Sequence, residues 1–356
     1  MVAEQVDLLR HHGHRVSLIA RRTDDYKGST QYAMVAATRV ATGYGASPAQ
    51  ELAALQPDVV HLHNTFPNFG TRWLERWGMK TVATLHNYRT VCSAGTLFRD
   101  GQECFECLGP SKLPAIRYGC YRGSRSQTLP LAIGATRVGG FRPILRHPKT
   151  LVALNDQMAE IIASYSGRPV TVIPNFVSDA DASTAHSDSW AFVGRLTEEK
   201  GLVDLLANWP PGRQLHIYGD GPLRPLLQSQ HSAETGVHWH GLANRVDLLK
   251  TLGRFTGLIV PSLWSEGLPT VILESLARSV PIVISTRVAA APALIAAGVA
   301  VPMSVGPIAR DGLIDALNQV QGRGDQMRRQ CRVYHRNTFS SQAWLDAITA
   351  VYDKLG

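Results

Sequence analysis

Two glutamates, Glu266 and Glu274, stand eight positions apart in the stretch EGLPTVILE, directly after the apolar run GLIVPSLW. Pro269 suits the first turn of a helix, so Gly267 and Leu268 are expected to form the loop that enters it. The backbone N–H groups of a first turn have no partner inside the helix, and the helix dipole adds positive charge there. The stretch therefore predicts an anion-binding helix start flanked by two carboxylates.

Glu274 follows Thr270 by four residues, on the same helix face, and its side chain leans back toward the helix start. Backbone donors would hold a diphosphate, and both glutamates would accept hydrogen bonds from hydroxyl groups on either side of it. A sugar nucleotide has this layout of ribose hydroxyls, diphosphate and sugar hydroxyls. The alternative is that one glutamate caps the helix and the other lies on its solvated face.

Basic residues follow another strand-like run. WAFVGRLTEEKG places Gly194 and Arg195 just past a predicted strand and Lys200 at the start of the next helix. A helix start with an arginine and a lysine nearby is suited to phosphate. Two solvated basic residues in a loop are the alternative that this segment alone leaves open.

A glycine pair marks a third strand end. In QLHIYGDGPL, Gly219 and Gly221 bracket Asp220, which allows a tight turn and a close approach of the backbone to a ligand. The segment is not a dinucleotide-binding fingerprint, because Arg224 stands where the third glycine of GxGxxG would fall. A plain strand-to-helix turn explains the pair equally well.

Both halves of the chain alternate strand-like apolar runs with helical periodicity. In the first half we predict helices at 2–12, 70–77 and 156–165 and strands at 15–20, 58–63, 80–86, 150–154 and 170–174. In the second half we predict strands at 190–194, 214–219, 237–241, 257–261, 281–285 and 299–302. Such alternation builds parallel sheets covered on both faces, with ligands at the carboxyl ends of the strands.

The polar segment 175–189 is poor in large apolar residues and predicts a linker. A chain of 356 residues is long enough for two domains. We therefore expect an α/β protein with two doubly wound, Rossmann-like domains facing a cleft. No apolar run approaches the roughly 20 residues of a membrane helix, and the start lacks the apolar core of a signal peptide. A cytoplasmic protein is expected.

Positive charge is concentrated in the first half. Residues 1–150 hold 19 Lys and Arg against 10 Asp and Glu, whereas residues 151–356 hold 17 against 18. A basic half indicates an anionic partner, either a lipid surface or nucleic acid. The sequence has no basic stretch interleaved with aromatic residues of the kind that single-strand binders use. We therefore predict contact with a membrane surface or lipid phosphate and no nucleic acid, with a merely soluble basic surface as the alternative.

Four segments, TLHN, VGRLTEEKG, YGDGPL and EGLPTVILESLARSVPIV, resemble the signature blocks of glycosyltransferase family 4, in the same order. The resemblance extends over nearly the whole chain and includes the spacing Glu266-x7-Glu274. It implies the GT-B fold, with an acceptor-side domain at 1–175, a nucleotide-sugar-binding domain at 176–338 and a helix at 339–356 that returns to the first domain.

The resemblance also implies a reaction. A retaining enzyme of the hexosyltransferase type would move a sugar from a nucleotide-diphosphate-sugar to a glycan or lipid-linked acceptor, in bacterial cell-surface polysaccharide synthesis. Attack would come from the face that the diphosphate leaves, and that diphosphate would help to deprotonate the acceptor. Two cations would stabilise its charge, so no cofactor is expected to be required for catalysis. The enzyme would be peripheral on the inner face of the cytoplasmic membrane.

Residue roles follow from the same resemblance. Arg195 and Lys200 would neutralise the diphosphate, Glu274 would bind the ribose diol and Glu266 the hydroxyls of the donor sugar. His86 would face the donor sugar and leaving group, with a structural histidine as the alternative. The implied catalytic residues are His86, Arg195, Lys200 and Glu266. The implied donor-binding residues are Gly194, Arg195, Lys200, Gly219, Gly221, Glu266, Gly267, Leu268, Pro269, Thr270 and Glu274.

The sequence departs from the family pattern in one loop and at its start. VAAAPAL (288–294) stands where the family often has a Gly-Gly turn followed by Ile-Pro-Glu, which leaves the contribution of this loop to the donor pocket open. Family members normally begin with an apolar strand and a glycine-rich loop before the helix that here starts at Val2. The resemblance therefore implies a missing first strand, through an upstream start or a damaged copy.

Four of the five cysteines, Cys92, Cys104, Cys107 and Cys120, lie in a Cys-rich insertion at 87–123. Their spacing can supply the four thiolates of a structural zinc site, and disulfides are not expected in a cytoplasmic protein. The insertion is long and contains few apolar residues, so it needs a cross-link such as a metal site to hold it in one structure. Unligated thiols, or a redox pair at Cys104 and Cys107, are the alternatives.

Two other functions are compatible with the fold. A sugar-nucleotide epimerase shares it, but the paired glutamates and the long insertion argue against that activity. A non-catalytic GT-B partner subunit would keep the fold without turnover. His61 and His63 in VVHLHN match a common family segment, and packed strand residues are the alternative for them.

Overall fold

The computed structural model describes residues 2–26, 29, 31–180, 187–306 and 308–355. The chain forms two compact units. The first comprises Met1–Arg99, Glu103–Ile173 and Leu345–Gly356, and the second comprises Asp100–Gln102 and Pro174–Trp344. The predicted linker at 175–189 lies partly outside the described residues, which end at 180 and resume at 187.

The first unit contains a parallel sheet. The strands before residue 173 are β1 (Val60–Leu62), β2 (Thr81–Leu85), β3 (Phe98–Arg99), β4 (Gln102–Glu103), β5 (Thr150–Ala153) and β6 (Val170–Val172). The α-helices of this part are α1 (Val2–His11), α2 (Tyr32–Thr42), α3 (Ala49–Leu55), α4 (Leu74–Trp77), α5 (Leu113–Arg117), α6 (Arg125–Gly134), α7 (Arg142–Arg146) and α8 (Asp156–Ser166). The sheet has the order β1-β2-β5-β6, with Val60 opposite Thr81 and Leu151 opposite Val170, while β3 and β4 pair with each other.

Local sequence explains why the best-predicted helix of this unit forms where it does. α8 begins after Asn155, whose side chain accepts a 2.8 Å hydrogen bond from the backbone N–H of Met158. It ends at Gly167, which adopts the left-handed conformation with φ of 70°. Its buried face packs in the core of the first unit and consists of Met158, Ala159 and Ile162. These start and stop signals place the helix close to the predicted 156–165.

Three sequence predictions for this unit are wrong. Residues 15–20 form no strand and are largely exposed, with Leu18 56% exposed, because their apolar alternation has no neighbouring strand to pair with. The helix predicted at 70–77 starts only at Leu74. The stretch between β2 and β5, where the sequence predicts no helix, contains α5, α6 and α7. Prolines in the first turn of α5 and α7 and in the interior of α6 hide the helical pattern.

The second unit contains a six-stranded parallel sheet. Its strands are β7 (Ser189–Val193), β8 (Gln214–Tyr218), β9 (Val237–Gly241), β10 (Gly257–Val260), β11 (Ile282–Ser285) and β12 (Ala300–Met303). Its α-helices are α9 (Leu202–Ala207), α10 (Arg224–Gln230), α11 (Arg245–Leu252), α12 (Thr270–Ala277), α13 (Ala291–Ala296), α14 (Arg310–Gly322) and α15 (Gly324–Thr338). All six predicted strands are confirmed to within one residue at each end.

The strand order β12-β11-β10-β7-β8-β9 is that of a doubly wound, Rossmann-like sheet. The chain adds strands outward from β7 on one side, then returns to β10 on the other side of β7. At this reversal the connections that follow β7 and β10 lead to opposite sides, and a crevice opens at the carboxyl ends of these two strands. The β-branched runs GLIV and IVIS of β10 and β11 are buried at every position, as expected for strands covered on both faces.

The last α-helix, α16 (Ser341–Tyr352), belongs from Leu345 onward to the first unit. No helix in the described ranges is long and apolar enough to cross a membrane. The protein is thus an α/β protein with two Rossmann-like units, which confirms the predicted fold class.

Candidate functional site

The carboxyl ends of β7 and β10 are neighbours in the second sheet, on either side of the reversal in strand order. The residues after β7 include Gly194, Arg195 and Lys200, whereas β10 leads through Glu266 into α12. Ligands of open parallel sheets bind at such a position. The predicted donor-binding residues therefore lie on the loops where this fold offers a site.

The glycines among these residues allow the loops to touch. Gly219 has φ of 139°, and a Cβ there would lie 1.8 Å from the carbonyl oxygen of Gly194. A Cβ at Gly221 would lie 2.5 Å from the carbonyl oxygen of Leu196. Any side chain at these positions would push the turns after β7 and β8 apart. The glycines thus shape the site, whether or not a ligand contacts them.

Lys200 and Glu266 form a direct ion pair between Nζ and Oε1, and each side chain is only 14% exposed. The other carboxylate oxygen of Glu266 accepts a 2.9 Å hydrogen bond from Oγ of Ser262. The backbone oxygen of Glu266 accepts a 3.1 Å bond from the N–H of Ala289, so the alanine-rich loop that departs from the family pattern still adjoins the site. The sequence indicated both charged residues but not that they bond to each other, nor the part of Ser262.

Glu274 is buried, with 5% of its surface exposed, in a helix whose described residues from 271 to 277 are all buried. Its Oε1 accepts hydrogen bonds of 3.0 Å from Nε of Arg245, and Nη2 of the same guanidinium lies 3.0 Å away. A carboxylate removed from water needs such a charged partner. Arg245 was missed in the sequence because it starts α11, 29 positions before Glu274, and no local signal pairs the two residues.

Arg195 behaves differently from Lys200. Its side chain is 71% exposed, and its Nη2 lies 3.6 Å from Oε1 of Glu199. The same oxygen of Glu199 accepts a 2.7 Å hydrogen bond from Oγ1 of Thr197. The structure therefore brings Lys200 and Glu266 together and leaves Arg195 on the rim, held by a single weak surface ion pair.

The start of α12 lies one residue later than predicted. The helix begins at Thr270, and Pro269, with φ of −56° and ψ of 130°, is the residue before it. Leu268 points into the apolar core and is 9% exposed, so only its backbone is available to a ligand. Thr270 is exposed at the first turn. The predicted anion site therefore consists of backbone groups, and the side chain of Leu268 packs in the core instead of contributing to it.

A second cluster of polar residues lies at the carboxyl ends of β1 and β2 in the first unit. Nδ1 of His63 is 3.0 Å from Nε2 of His86, and the rings of His61 and His63 stack with centroids 4.2 Å apart. His61 in turn bonds through Nδ1 to the hydroxyl of Tyr352 at 2.7 Å and through Nε2 to Oγ1 of Thr84 at 2.8 Å. The predicted catalytic histidine is thus the outermost member of a connected group.

Burial keeps these imidazoles neutral. It lowers the pKa of His61 to about 3 and that of His63 to about 2, with the neighbouring histidines adding to the effect. Burial also lowers the pKa of His86. Between two neutral rings one nitrogen must donate and the other accept, so the tautomers of His63 and His86 depend on each other.

His63 and His86 border a cavity of about 200 Å³ in the first unit. Its wall is polar on one side, with His63, His86, Asn64, Asn87 and Arg89, and apolar on the other. The hydroxyl of Thr90, which also lines it, is buried and has no hydrogen-bond partner among the residues that the structure describes. Hydrogen-bond donors and acceptors around a small cavity, the guanidinium of Arg89 among them, suit hydroxyl groups of a sugar. A larger and more open depression beside α13 and α14 lies away from all the predicted site residues.

The four cysteines of the insertion are gathered but do not form a closed metal site. All are free thiols, and burial, with the charges of Cys92, Cys107 and Cys104, raises the pKa of Cys120 to about 11. Four sulfur ligands would suit zinc chemically. In the ranges that the structure describes, however, no three His, Cys, Asp or Glu side chains are arranged to hold a metal ion. The zinc site stays a prediction.

Two Rossmann-like units of this topology are those of the GT-B fold, and a lysine–glutamate pair lies at the reversal of the second sheet. The protein-family comparison agrees: residues 1–181 match the model described as Glycosyltransferase Family 4, and residues 188–321 match Glycosyl transferases group 1. The chain belongs to glycosyltransferase family 4. None of the curated proteins compared with it matches.

Solved structures show the same fold at low sequence identity. Sucrose-phosphate synthase from Thermosynechococcus elongatus has a TM-score of 0.66 at 14% identity, covering 99% of this chain and 92% of its own. HepE from Anabaena, crystallised with UDP, has a TM-score of 0.60 at 14% identity, covering 98% and 88%. WaaG, a glycosyltransferase involved in lipopolysaccharide biosynthesis, has a TM-score of 0.58 at 13% identity, covering 97% and 93%.

Proposed function

We propose that the protein is a retaining glycosyltransferase of the hexosyltransferase type, which moves a sugar from a nucleotide-diphosphate-sugar to a glycan or lipid-linked acceptor in bacterial cell-surface polysaccharide synthesis. The observation that carries the proposal is the Lys200–Glu266 pair beside the start of α12, with Glu274 buried one turn inside the helix. HepE has been crystallised with UDP and with UDP-glucose, which supports a nucleotide sugar as the donor.

In this proposal the backbone at the start of α12 and the cations Arg195 and Lys200 hold the donor diphosphate. Glu274 binds the ribose diol, oriented by Arg245, and Glu266 binds hydroxyls of the donor sugar. The bond from the anomeric carbon to the diphosphate breaks while the acceptor oxygen bonds to the same face of that carbon. The acceptor proton passes to a departing phosphate oxygen. The two cations supply the charge stabilisation that the leaving group needs, and no cofactor is required.

The first half, residues 1–175, takes the acceptor in this proposal, and residues 176–338 take the donor. His86 faces the donor sugar, and the polar lining of the cavity next to it supplies hydrogen bonds to hydroxyl groups. The C-terminal segment 339–356, which contains α16 (Ser341–Tyr352), belongs with the acceptor-side half. The protein works in the cytoplasm, at the inner face of the membrane. A structural zinc ion would hold the Cys-rich insertion at 87–123 by drawing its four thiols closer together, because no three of them form a metal site in the described ranges.

Incubation of the purified protein with a panel of sugar nucleotides, read by mass spectrometry, tests the activity. A glycosyltransferase releases nucleotide diphosphate from one donor by hydrolysis or transfer, and NMR of the product shows a retained anomeric configuration. Interconversion of free sugar nucleotides would instead identify an epimerase. Absence of both reactions with every donor would leave the non-catalytic partner subunit.

A further inference from the structure

An exposed apolar surface lies on the first unit, around the end of α6. Leu129 and Ile133, one helical turn apart, are 45% and 44% exposed, and Val138 in the following loop is 82% exposed. Residues four apart share one face of a helix, so the first two form a stripe. Side chains of this size exposed next to one another indicate an interaction surface rather than scattered surface residues.

The loop after α6 extends this surface toward the end of α2. Its Gly140 donates a 2.9 Å backbone hydrogen bond to Ala41, and Nη2 of Arg72 donates a 3.4 Å bond to the carbonyl of Val138. The guanidinium of Arg72 also lies 5.2 Å from the ring centroid of Tyr44, which is 66% exposed. We call Tyr44, Leu129, Ile133 and Val138 the α6 patch.

The charged residues around the α6 patch are mostly basic. Residues 107–155 contain eight Lys and Arg and no Asp or Glu. Arg125 at the start of α6 and Arg137 beside Val138 are both exposed. An acidic residue at the rim is Glu75, whose Oε1 lies 3.1 Å from Nη1 of Arg72. The patch therefore offers apolar side chains at the centre and arginines at the edge.

We propose that the α6 patch docks on a bilayer that contains anionic lipids. The apolar side chains enter the headgroup region, Tyr44 lies at the level of the headgroups and the arginines contact lipid phosphates. An acidic polysaccharide would satisfy the arginines but would leave the apolar centre in water, so the lipid surface fits better. The proposal rests on the proposed function in one respect, since a lipid-linked acceptor would be presented at this surface.

Co-sedimentation with vesicles tests the proposal. The full chain should pellet with vesicles of phosphatidylcholine and phosphatidylglycerol, and not with phosphatidylcholine alone, and high salt should weaken the binding. Val138→Asp should weaken it by at least about tenfold. Arg125→Ala and Arg137→Ala should each weaken it by about fivefold. Val333→Asp, at a side chain 59% exposed on α15, is the matched control and should bind like the wild type.

Equal losses in Val138→Asp and Val333→Asp, or equal binding to neutral and anionic vesicles, would overturn the proposal. Binding to a soluble acidic polysaccharide but not to vesicles would also overturn it and assign the patch to a glycan. Donor hydrolysis measured without vesicles separates this result from the proposed function. Val138→Asp should leave it unchanged, and a chain without hydrolysis that still binds anionic vesicles would contradict only the proposed enzyme.

Discussion

At the scale of single residues, the two glutamates of EGLPTVILE have different partners, and this difference predicts different losses. Glu274 is bonded to Arg245 deep in the second unit, whereas Glu266 neutralises Lys200. Glu274→Ala should weaken binding of the bare nucleotide diphosphate by about tenfold, the size of one or two hydrogen bonds. Glu266→Ala should leave that binding intact, because it releases Lys200 for the phosphates, and should weaken binding of the full sugar nucleotide.

Calorimetry with the nucleotide diphosphate and with the intact donor measures both changes. Glu198→Ala is a suitable control, because it removes an exposed carboxylate from the same loop and leaves both pairs and the Glu199 partner of Arg195 in place. If the two glutamate variants lose the same affinity for the bare nucleotide, the assignment of ribose and sugar to separate glutamates is wrong.

The histidine pair makes a second prediction at this scale. His63 lies 3.0 Å from Nε2 of His86 and so positions the ring and tautomer of the proposed catalytic residue. His63→Ala should lower kcat by about tenfold, the equivalent of one lost hydrogen bond, with little change in KM for the donor. His63→Gln keeps a hydrogen-bonding group and should recover part of the rate. An equal rise in KM for both variants would show that His63 acts only in packing.

At the scale of secondary-structure elements, the ends of β1 and β2 make the stability of the first unit depend on pH. The histidines His61 and His63 have pKa values of about 3 and about 2 in the folded chain, against 6.5 when unfolded. The unfolded chain therefore binds protons that the folded chain does not between about pH 6.5 and pH 3. Stability should fall as pH falls through this window, by at most about 1.4 kcal/mol per pH unit for each ring.

Urea unfolding at several values of pH tests this dependence. His61→Gln retains hydrogen-bonding atoms for Tyr352 and Thr84 but cannot take up a proton, so its unfolding midpoint should change less between pH 7 and pH 5, the part of the window closest to the unfolded pKa. His14→Gln, at an exposed position, should keep the wild-type slope. If the unfolding midpoint changes with pH by the same amount in all three proteins, the ring of His61 is accessible to protons in the folded chain.

The Cys-rich insertion makes a prediction of the same scale. If zinc holds it, purified protein should contain about one zinc per chain, and Cys107→Ser should lose the metal and unfold the insertion, because metal binding and folding are coupled. Cys331→Ala, far in sequence on α15, should keep the metal. Zinc-free protein in which all four thiols of the insertion titrate freely would contradict the prediction.

The elements also show where sequence reasoning succeeds and where it stops. The strands of the second unit could be predicted because β-branched runs such as IVIS are bounded by glycine and proline, signals that are purely local. Residues 15–20 carry the same local signal and form no strand, because a strand needs a neighbour. Arg245 and Ser262 escaped prediction for a related reason. The role of each depends on its partner in the fold, Glu274 for Arg245 and Glu266 for Ser262.

At the scale of the whole molecule, the end of the chain belongs to the unit in which the chain begins. Tyr352 in the last turns of α16 bonds to His61 at 2.7 Å, and burial raises its pKa. Ile348 and Val351 of the same helix are also buried. No local signal in β1 announced this contact, which joins residues 291 positions apart in sequence. The bond therefore connects the histidine cluster to α16, which reaches β1 only when the chain is folded.

Tyr352→Phe should therefore destabilise the first unit by about 1 kcal/mol, since the ring stays but Nδ1 of His61 loses its partner. Limited proteolysis followed by mass spectrometry can assign the effect, because cleavage should accelerate within residues 31–173 while residues 187–338 stay protected. Tyr44→Phe removes an exposed hydroxyl from the first unit and should leave the cleavage rate unchanged. Faster cleavage of the second unit in Tyr352→Phe would show that α16 stabilises the units in a different way, because the bond to His61 can report only on the sheet that contains β1.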